Sequence, residues 1–172
     1  MNRYLKRGLL GAVVSIILVI FDQFTKQLAV THLKAQPNIV LWEGVFELQY
    51  LENRGAAFGI MQGQKLFFII FTIIAMTAIV WFYIKKIPAD FKYRFLDIIC
   101  ILLFAGGIGN FIDRLRLNYV IDFLYFSLID FPIFNVADIY VTVAAFAMML
   151  LGLFYYKDED YDVIFPPKKK KE

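Results

Sequence analysis

The 172-residue chain holds one His (His32), one Cys (Cys100) and two Ser (Ser15, Ser127). An internal disulfide needs a second Cys, and a zinc site of His and Cys ligands lacks the ligands. A His-bearing triad would have to use His32, which lies in a polar stretch. Charge is also scarce. Charged residues make up 19%, against 60% hydrophobic and 18% aromatic. A soluble domain runs nearer a quarter charged and half apolar. Mean hydropathy is +0.64, which argues against a water-soluble single-core protein. Any catalysis falls to carboxylates, amides, Lys or Tyr.

What is present is apolar and long. Spans are expected at about 8–28, 66–84, 95–113 and 138–156, each long enough for a hydrocarbon core of ~30 Å. The N-terminal run imitates a signal peptide, with Arg3, Lys6 and Arg7 ahead of it. It continues past Asp22 without an A-x-A site, so it reads as a first span. Nothing divides the chain, which reads as a single integral membrane domain over 1–172. Twelve of its 18 Lys and Arg fall in residues 1–7, the link after span two and the tail at 157–172. Positive-inside then puts both termini and that tail in the cytosol. Lys168–Lys171 reads as a topology or lipid-headgroup signal rather than a nucleic-acid patch.

The outer segments are about 30–65 and 114–135. Phe46, Leu48 and Tyr50 alternate with Glu47 and Gln49, the period of a strand with one apolar face. Residues 119–126 are also β-prone. The expected fold is all-α and membrane-embedded: four transmembrane helices with a small β-sheet, a cradle, and a loop on the outer-leaflet side.

Asp22, Asp113, Asp122 and Asp138 collect near one depth at the outer interface. Ionisable groups there are costly and suggest a site. Each also has a local reading. Asp22 and Lys26 form an i,i+4 pair, and Lys26 can snorkel to the headgroups. Asn135 and Asp138 fit an N-cap and its N3 acid. Asp113-Arg114 fits an ion pair closing span three. Gly106, Gly107 and Gly109 fit a close helix-packing surface. Asp122 has no evident local partner. Two facing carboxylates would share one proton, so that one activates water while the other protonates a carbonyl oxygen.

Five segments, in order, resemble the lipoprotein signal peptidase (signal peptidase II) family of bacterial intramembrane aspartyl proteases. Asp22-Gln23-Phe24-Thr25-Lys26 is similar to its D-Q-x-[ST]-K element. Asn53 to Gly59 is similar to N-x-G-A-A-F-G. Gly106 to Arg114 is similar to G-G-x-x-G-N-x-x-D-R, Val120 to Phe123 to V-[VI]-D-F, and Phe134 to Asp138 to F-N-x-A-D. Asn118 stands where that family commonly has Gly.

The resemblance implies Asp122 and Asp138 as the catalytic pair. Asp22, Lys26, Asn53, Gly55, Asn110, Asp113, Arg114, Asn135 and Ala137 are implied as substrate-binding or supporting residues. It implies no metal and no cofactor. The implied reaction removes the signal peptide from diacylglyceryl-modified prolipoproteins, on the N-terminal side of the lipidated Cys. The implied setting is a monomer among membrane lipids in the bacterial cytoplasmic (inner) membrane, with its site at the outer leaflet. A coupled transporter with acids at the midplane, or a structural four-helix subunit, would be the other readings.

Overall fold

A computed structural model describes residues 3–55 and 63–166. Residues 56–59 of the Asn53–Gly59 element, and Lys168–Lys171, lie outside them. Helix α1 (Arg3–Leu33) is followed by strands β1 (Ile39–Trp42) and β2 (Phe46–Asn53). Helices α2 (Lys65–Lys85) and α3 (Arg94–Leu117) come next, then β3 (Val120–Tyr125), α4 (Val136–Phe154) and a short α5 (Asp158–Ile164). Among the described residues, four helices are long and apolar enough to cross a membrane. The chain is a multi-pass membrane protein of mostly helical fold. Helix α1 extends beyond the expected 8–28 at both ends, because polar flanks continue its turns into the interfaces.

Polarity is arranged inside out. Leu10, Ile16, Ile74, Phe146 and Leu153 are exposed, whereas Asp22, Lys26, Asp113, Asp122 and Asn135 are buried. In lipid this is the stable arrangement, since charges are costly outside and satisfied inside. Helix α3 is the centre and packs on α1, α2 and α4. Its glycines make that possible. A Cβ on Gly106 would stand 2.6 Å from the Ala137 carbonyl oxygen of α4, and one on Gly107 2.5 Å from Met76 Cε of α2. One on Gly109 would stand 2.5 Å from Asp22 Oδ2 of α1. The packing surface expected from these glycines therefore faces three helices.

The strands form one antiparallel sheet in the order β1-β2-β3. Leu48 and Tyr50 of β2 pack with Ile121 and Phe123 against Ala29 and Leu33 at the end of α1. That is the apolar face expected from the alternation. Strand β1 had no alternating signal to reveal it, for Ile39, Val40, Leu41 and Trp42 are apolar throughout and all exposed. The register pairs Asn53 with Val120 and Leu51 with Asp122, so β2 carries Asn53 to the start of β3. Helix α3 ends at Asn118, whose φ of 68° is left-handed. Gly is favoured there and Asn is the next best tolerated, which accounts for the exchange at this position.

At the opposite end, Arg7 of α1 donates to the carbonyls of Tyr83 (2.6 Å) and Ile87 (2.8 Å) and pairs with Asp97 at 2.7 Å. The acidic stretch after Tyr156, expected as plain tail, folds into α5. Asp160 accepts from the Lys157 amide at 3.0 Å and from Tyr93 Oη at 3.0 Å, and pairs with Lys92. Ile164 joins Ile87, Tyr93, Leu96 and Tyr156 in a buried cluster. Cys100 belongs to that cluster as a packing residue, and His32 is exposed.

Candidate active site

Helix α4 begins where its first amides must find acceptors. Asn135 is the N-cap: its side chain accepts from the Asp138 amide at 3.1 Å, and Asp138 Oδ2 accepts from the Asn135 amide at 3.0 Å. This is a capping box with Asp in place of Glu. The amide of Ala137 is satisfied from another helix, by Asp22 Oδ1 at 2.9 Å. Ala137 is fully buried and its Cβ faces Gly109. A larger side chain would push α4 away from Asp22.

The cap also carries Asn135 Nδ2 to Asp122. That amide donates to Asp122 Oδ1 at 2.6 Å and to Asn110 Oδ1 at 3.1 Å. Asp122 Oδ2 accepts from Asn53 Nδ2 at 2.9 Å, and Asn53 Oδ1 is fixed by the Gly55 amide at 3.0 Å. Asn110 Nδ2 donates to Asp138 Oδ1 at 2.8 Å. Every oxygen of both carboxylates thus has one amide donor, and each donor's orientation is set by its other bonds. Asp122 and Asp138 line one open cavity of ≈ 1050 Å³, with Asn53, Asn110, Arg114 and apolar walls including Phe126 and Val141. The Asp122 carboxyl is pushed up to about 7, by burial first and by the charge of Asp138 second; the bonds from Asn53 and Asn135 pull the other way.

Behind the pair lies a buried ionic cluster. Lys26 is 1% exposed, so it does not snorkel. Its three donors go to Asp22 Oδ2 (3.0 Å), Asp113 Oδ2 (2.9 Å) and Asn110 Oδ1 (2.8 Å). The i,i+4 pair with Asp22 is present, as part of this larger set. Asp113 does not pair with Arg114. It accepts instead from Lys26, from Gln23 Nε2 at 3.0 Å and from the Ile121 amide at 3.2 Å. The side chain of Asp113 turns back toward α1, while Arg114 turns into the cavity. There Arg114 donates to the Gly55 carbonyl at 3.3 Å and lies 4.7 Å over the Phe68 ring. Gln23 stands in the D-Q-x-[ST]-K element but has no role assigned from sequence, and Phe68 escaped the sequence reading. Gln23 could have been found from its place beside Asp22, whereas nothing local marks Phe68 among its apolar neighbours.

Gly109→Ala should displace Asp22, since the new methyl would stand 2.5 Å from its carboxylate and 3.2 Å from Ala137 Cβ. Overpacking of this kind costs about 1–3 kcal/mol. Thermal unfolding in detergent should register it, with a parallel loss of cleavage. Gly8→Ala, with nothing within 4 Å, is the control and should melt no lower than the parent. Equal melting of the two variants would contradict the tight α1–α3 contact.

A family model described as Signal peptidase (SPase) II matches residues 14–154. A lipoprotein signal peptidase of Streptococcus thermophilus (strain CNRZ 1066) is 43% identical over 143 residues, which is 83% of this chain and 90% of that one. A lipoprotein signal peptidase of Streptococcus pyogenes serotype M5 is 41% identical over 146 residues, 85% of this chain and 92% of that one. A bacterial membrane enzyme solved by the in meso method superposes with a TM-score of 0.76 at 33% identity, covering 94% of each chain. A second such structure gives 0.75 at 35% identity, over 85% of this chain and 94% of that one. Motifs, fold and relatives agree over most of the length, and the chain belongs to the signal peptidase II family.

Proposed function

We propose that Asp122 and Asp138 are the catalytic pair of a peptidase that frees diacylglyceryl-modified prolipoproteins of their signal peptides. Membership in the family makes the protein an aspartic protease acting on prolipoproteins. The assignment of the pair rests on one observation above all. A single side-chain amide, Asn135 Nδ2, binds Asp122 while its own backbone amide binds Asp138. The two carboxylates are thereby tied to one residue and open onto one cavity.

In this reading the pair holds one proton. The ionised carboxylate takes a proton from water as the water attacks the scissile carbonyl carbon. The protonated one donates to the carbonyl oxygen as the tetrahedral gem-diol forms. The carboxyl that took the proton from water then gives it to the leaving amine, and the C–N bond breaks. A gem-diol hydroxyl passes its proton to the other carboxylate as the new carboxyl group forms, which leaves the pair singly protonated again. Asn53, Gly55 and Arg114 line the cavity beside Asp122 and hold the substrate backbone. Asn110 and Asn135 orient the acids. Asp22, Lys26, Asp113 and Ala137 support them from behind. Cleavage falls on the N-terminal side of the lipidated Cys. The bundle end that carries the pair faces the outer leaflet of the cytoplasmic membrane, so the diacylglyceryl group stays in lipid while the peptide reaches the acids. Both termini lie in the cytosol, and the unit works as a monomer.

Purified protein incubated with lipidated and unlipidated forms of one prolipoprotein should release signal peptide from the lipidated form alone. Equal processing of both would remove the lipid from the reading. Orientation is tested separately in a Cys100→Ala background. Cys at Gln36 should label in intact cells, and Cys at Ala89 only after permeabilisation. The reverse pattern would turn the acids toward the cytosol and remove the outer-leaflet site.

A further inference from the structure

At the bundle end opposite the aspartates, α1 and α3 part to leave a second open groove of ≈ 710 Å³. Its walls are Leu10 and Val14 of α1 and Ile98 and Ile101 of α3, and its mouth carries Arg3, Arg7, Arg94, Asp90 and Asp97. Tyr83 of α2 floors it: a Cβ on Gly11 would stand 2.6 Å from the Tyr83 hydroxyl.

The charges at the mouth are unequally engaged. Arg7 is committed to Asp97 and to the carbonyls of Tyr83 and Ile87. Asp90 accepts from the Lys92 amide at 2.9 Å. Arg94 lies 4.2 Å over the Phe91 ring, which leaves its N–H edge to other partners. Among the described residues Arg3 has no acceptor. Three arginines against two aspartates leave the mouth one positive charge in excess. Two of those arginines have donors to spare.

We infer that this groove binds one anionic phospholipid, its phosphodiester held by Arg3 and Arg94 and one acyl chain lying along Leu10, Val14, Ile98 and Ile101. The observations carry this occupant in particular. The groove lies within the apolar length of two spans, where lipid is the solvent. Its wall from Leu10 to Val14 rises roughly 6 Å along α1. The cationic mouth sits at headgroup level, where juxtamembrane arginines draw anionic lipid. Net positive charge at the mouth favours a headgroup without an ammonium over one that carries it.

Native mass spectrometry of the full chain, after extraction from vesicles of equal phosphatidylglycerol and phosphatidylcholine, reads retained lipid directly. The parent should keep one phosphatidylglycerol in preference to phosphatidylcholine. Arg3→Gln and Arg94→Gln should each weaken that retention about five-fold. Val14→Trp should abolish it with the arginines intact, by filling the channel. Lys6→Gln, beside the groove in sequence but not lining it, should retain lipid like the parent. Prolipoprotein cleavage measured alongside reports that each variant is folded, since none of these residues touches the aspartate site. Equal retention of the two lipids by the parent, undiminished retention in the Arg3→Gln/Arg94→Gln double variant, or an equal loss in Lys6→Gln would each overturn the site.

Discussion

Asn in place of Asp122 or Asp138 should lower prolipoprotein cleavage by roughly 10²–10⁴-fold, the range for removing a positioned acid or base. Substrate should still bind. The hydrogen bonds explain why an amide cannot stand in. Asp122 receives Asn53 Nδ2 and Asn135 Nδ2, and Asp138 receives Asn110 Nδ2 and the Asn135 amide. Each position faces two donors, so Asn must oppose an NH2 to one of them. Asn110 cannot turn over to relieve this, because its oxygen already accepts from Lys26 and Asn135. The same variant has a signature in pH. Asp122 is pushed up to about 7, so the folded chain keeps a proton that the unfolded chain releases near 4. Stability contributed by that proton is complete at low pH and fades as pH climbs toward 7. Activity should likewise decline on the alkaline side as the pair loses its shared proton. Asp122→Asn should flatten this carboxyl's share of the stability slope. Near-parental turnover in either variant would remove that residue from the pair.

Lys26→Met should be the most damaging substitution to the fold. Lys26 is the cation between Asp22 and Asp113, at 3.0 and 2.9 Å, and all three are buried. Without it two carboxylates face each other unneutralised, and breaking a buried set in this way costs about 3–5 kcal/mol. Thermal unfolding in detergent measures the loss. The triple variant Asp22→Asn/Lys26→Met/Asp113→Asn should recover much of it. Each Asn retains an oxygen for the Ala137 and Ile121 amides that the aspartates now satisfy. If Lys26→Met melted with the parent, the cluster would have no role in holding α1 to α3. Cleavage should not recover in the triple variant, because Asn110 loses the Lys26 donor that sets its orientation toward Asp138.

Four helices could be read from apolar runs, and the β2–β3 part of the sheet from alternation at Phe46 to Tyr50 and β-rich residues near Ile121. The expected gathering of Asp22, Asp113, Asp122 and Asp138 at one end of the bundle also matches the structure. Their division of labour was not readable in the same way. Spacing puts Asp22 beside Lys26 on one helix turn, but burial decides whether that lysine reaches for water or for Asp113, and burial depends on α3. Adjacent Asp113 and Arg114 look like an ion pair on paper; on a helix, neighbours in sequence diverge by about 100°, and these two serve different partners. Strand β1 and helix α5 were hidden for opposite reasons. The first is apolar on both faces. The second is so acidic that only its docking through Asp160 and Ile164 distinguishes it from loose tail.

The groups that orient Asp122 and Asp138 come from separate parts of the chain: Lys26 in α1, set behind the others, Asn53 ahead of α2, Asn110 within α3 and Asn135 at the start of α4. A chain made from its N-terminus delivers these parts in that order. Asn53 and Lys26 are in place before either aspartate leaves the ribosome, and Asp138, the last of the set, arrives on the final span. Until α4 threads against α3 and takes up Asp22 at its first turn, Asp122 has no carboxylate opposite it. With Asp122 and Asp138 as the proposed catalytic pair, a nascent or half-inserted copy is inert. On that proposal, competence to cut comes with completion of the last crossing of the bilayer.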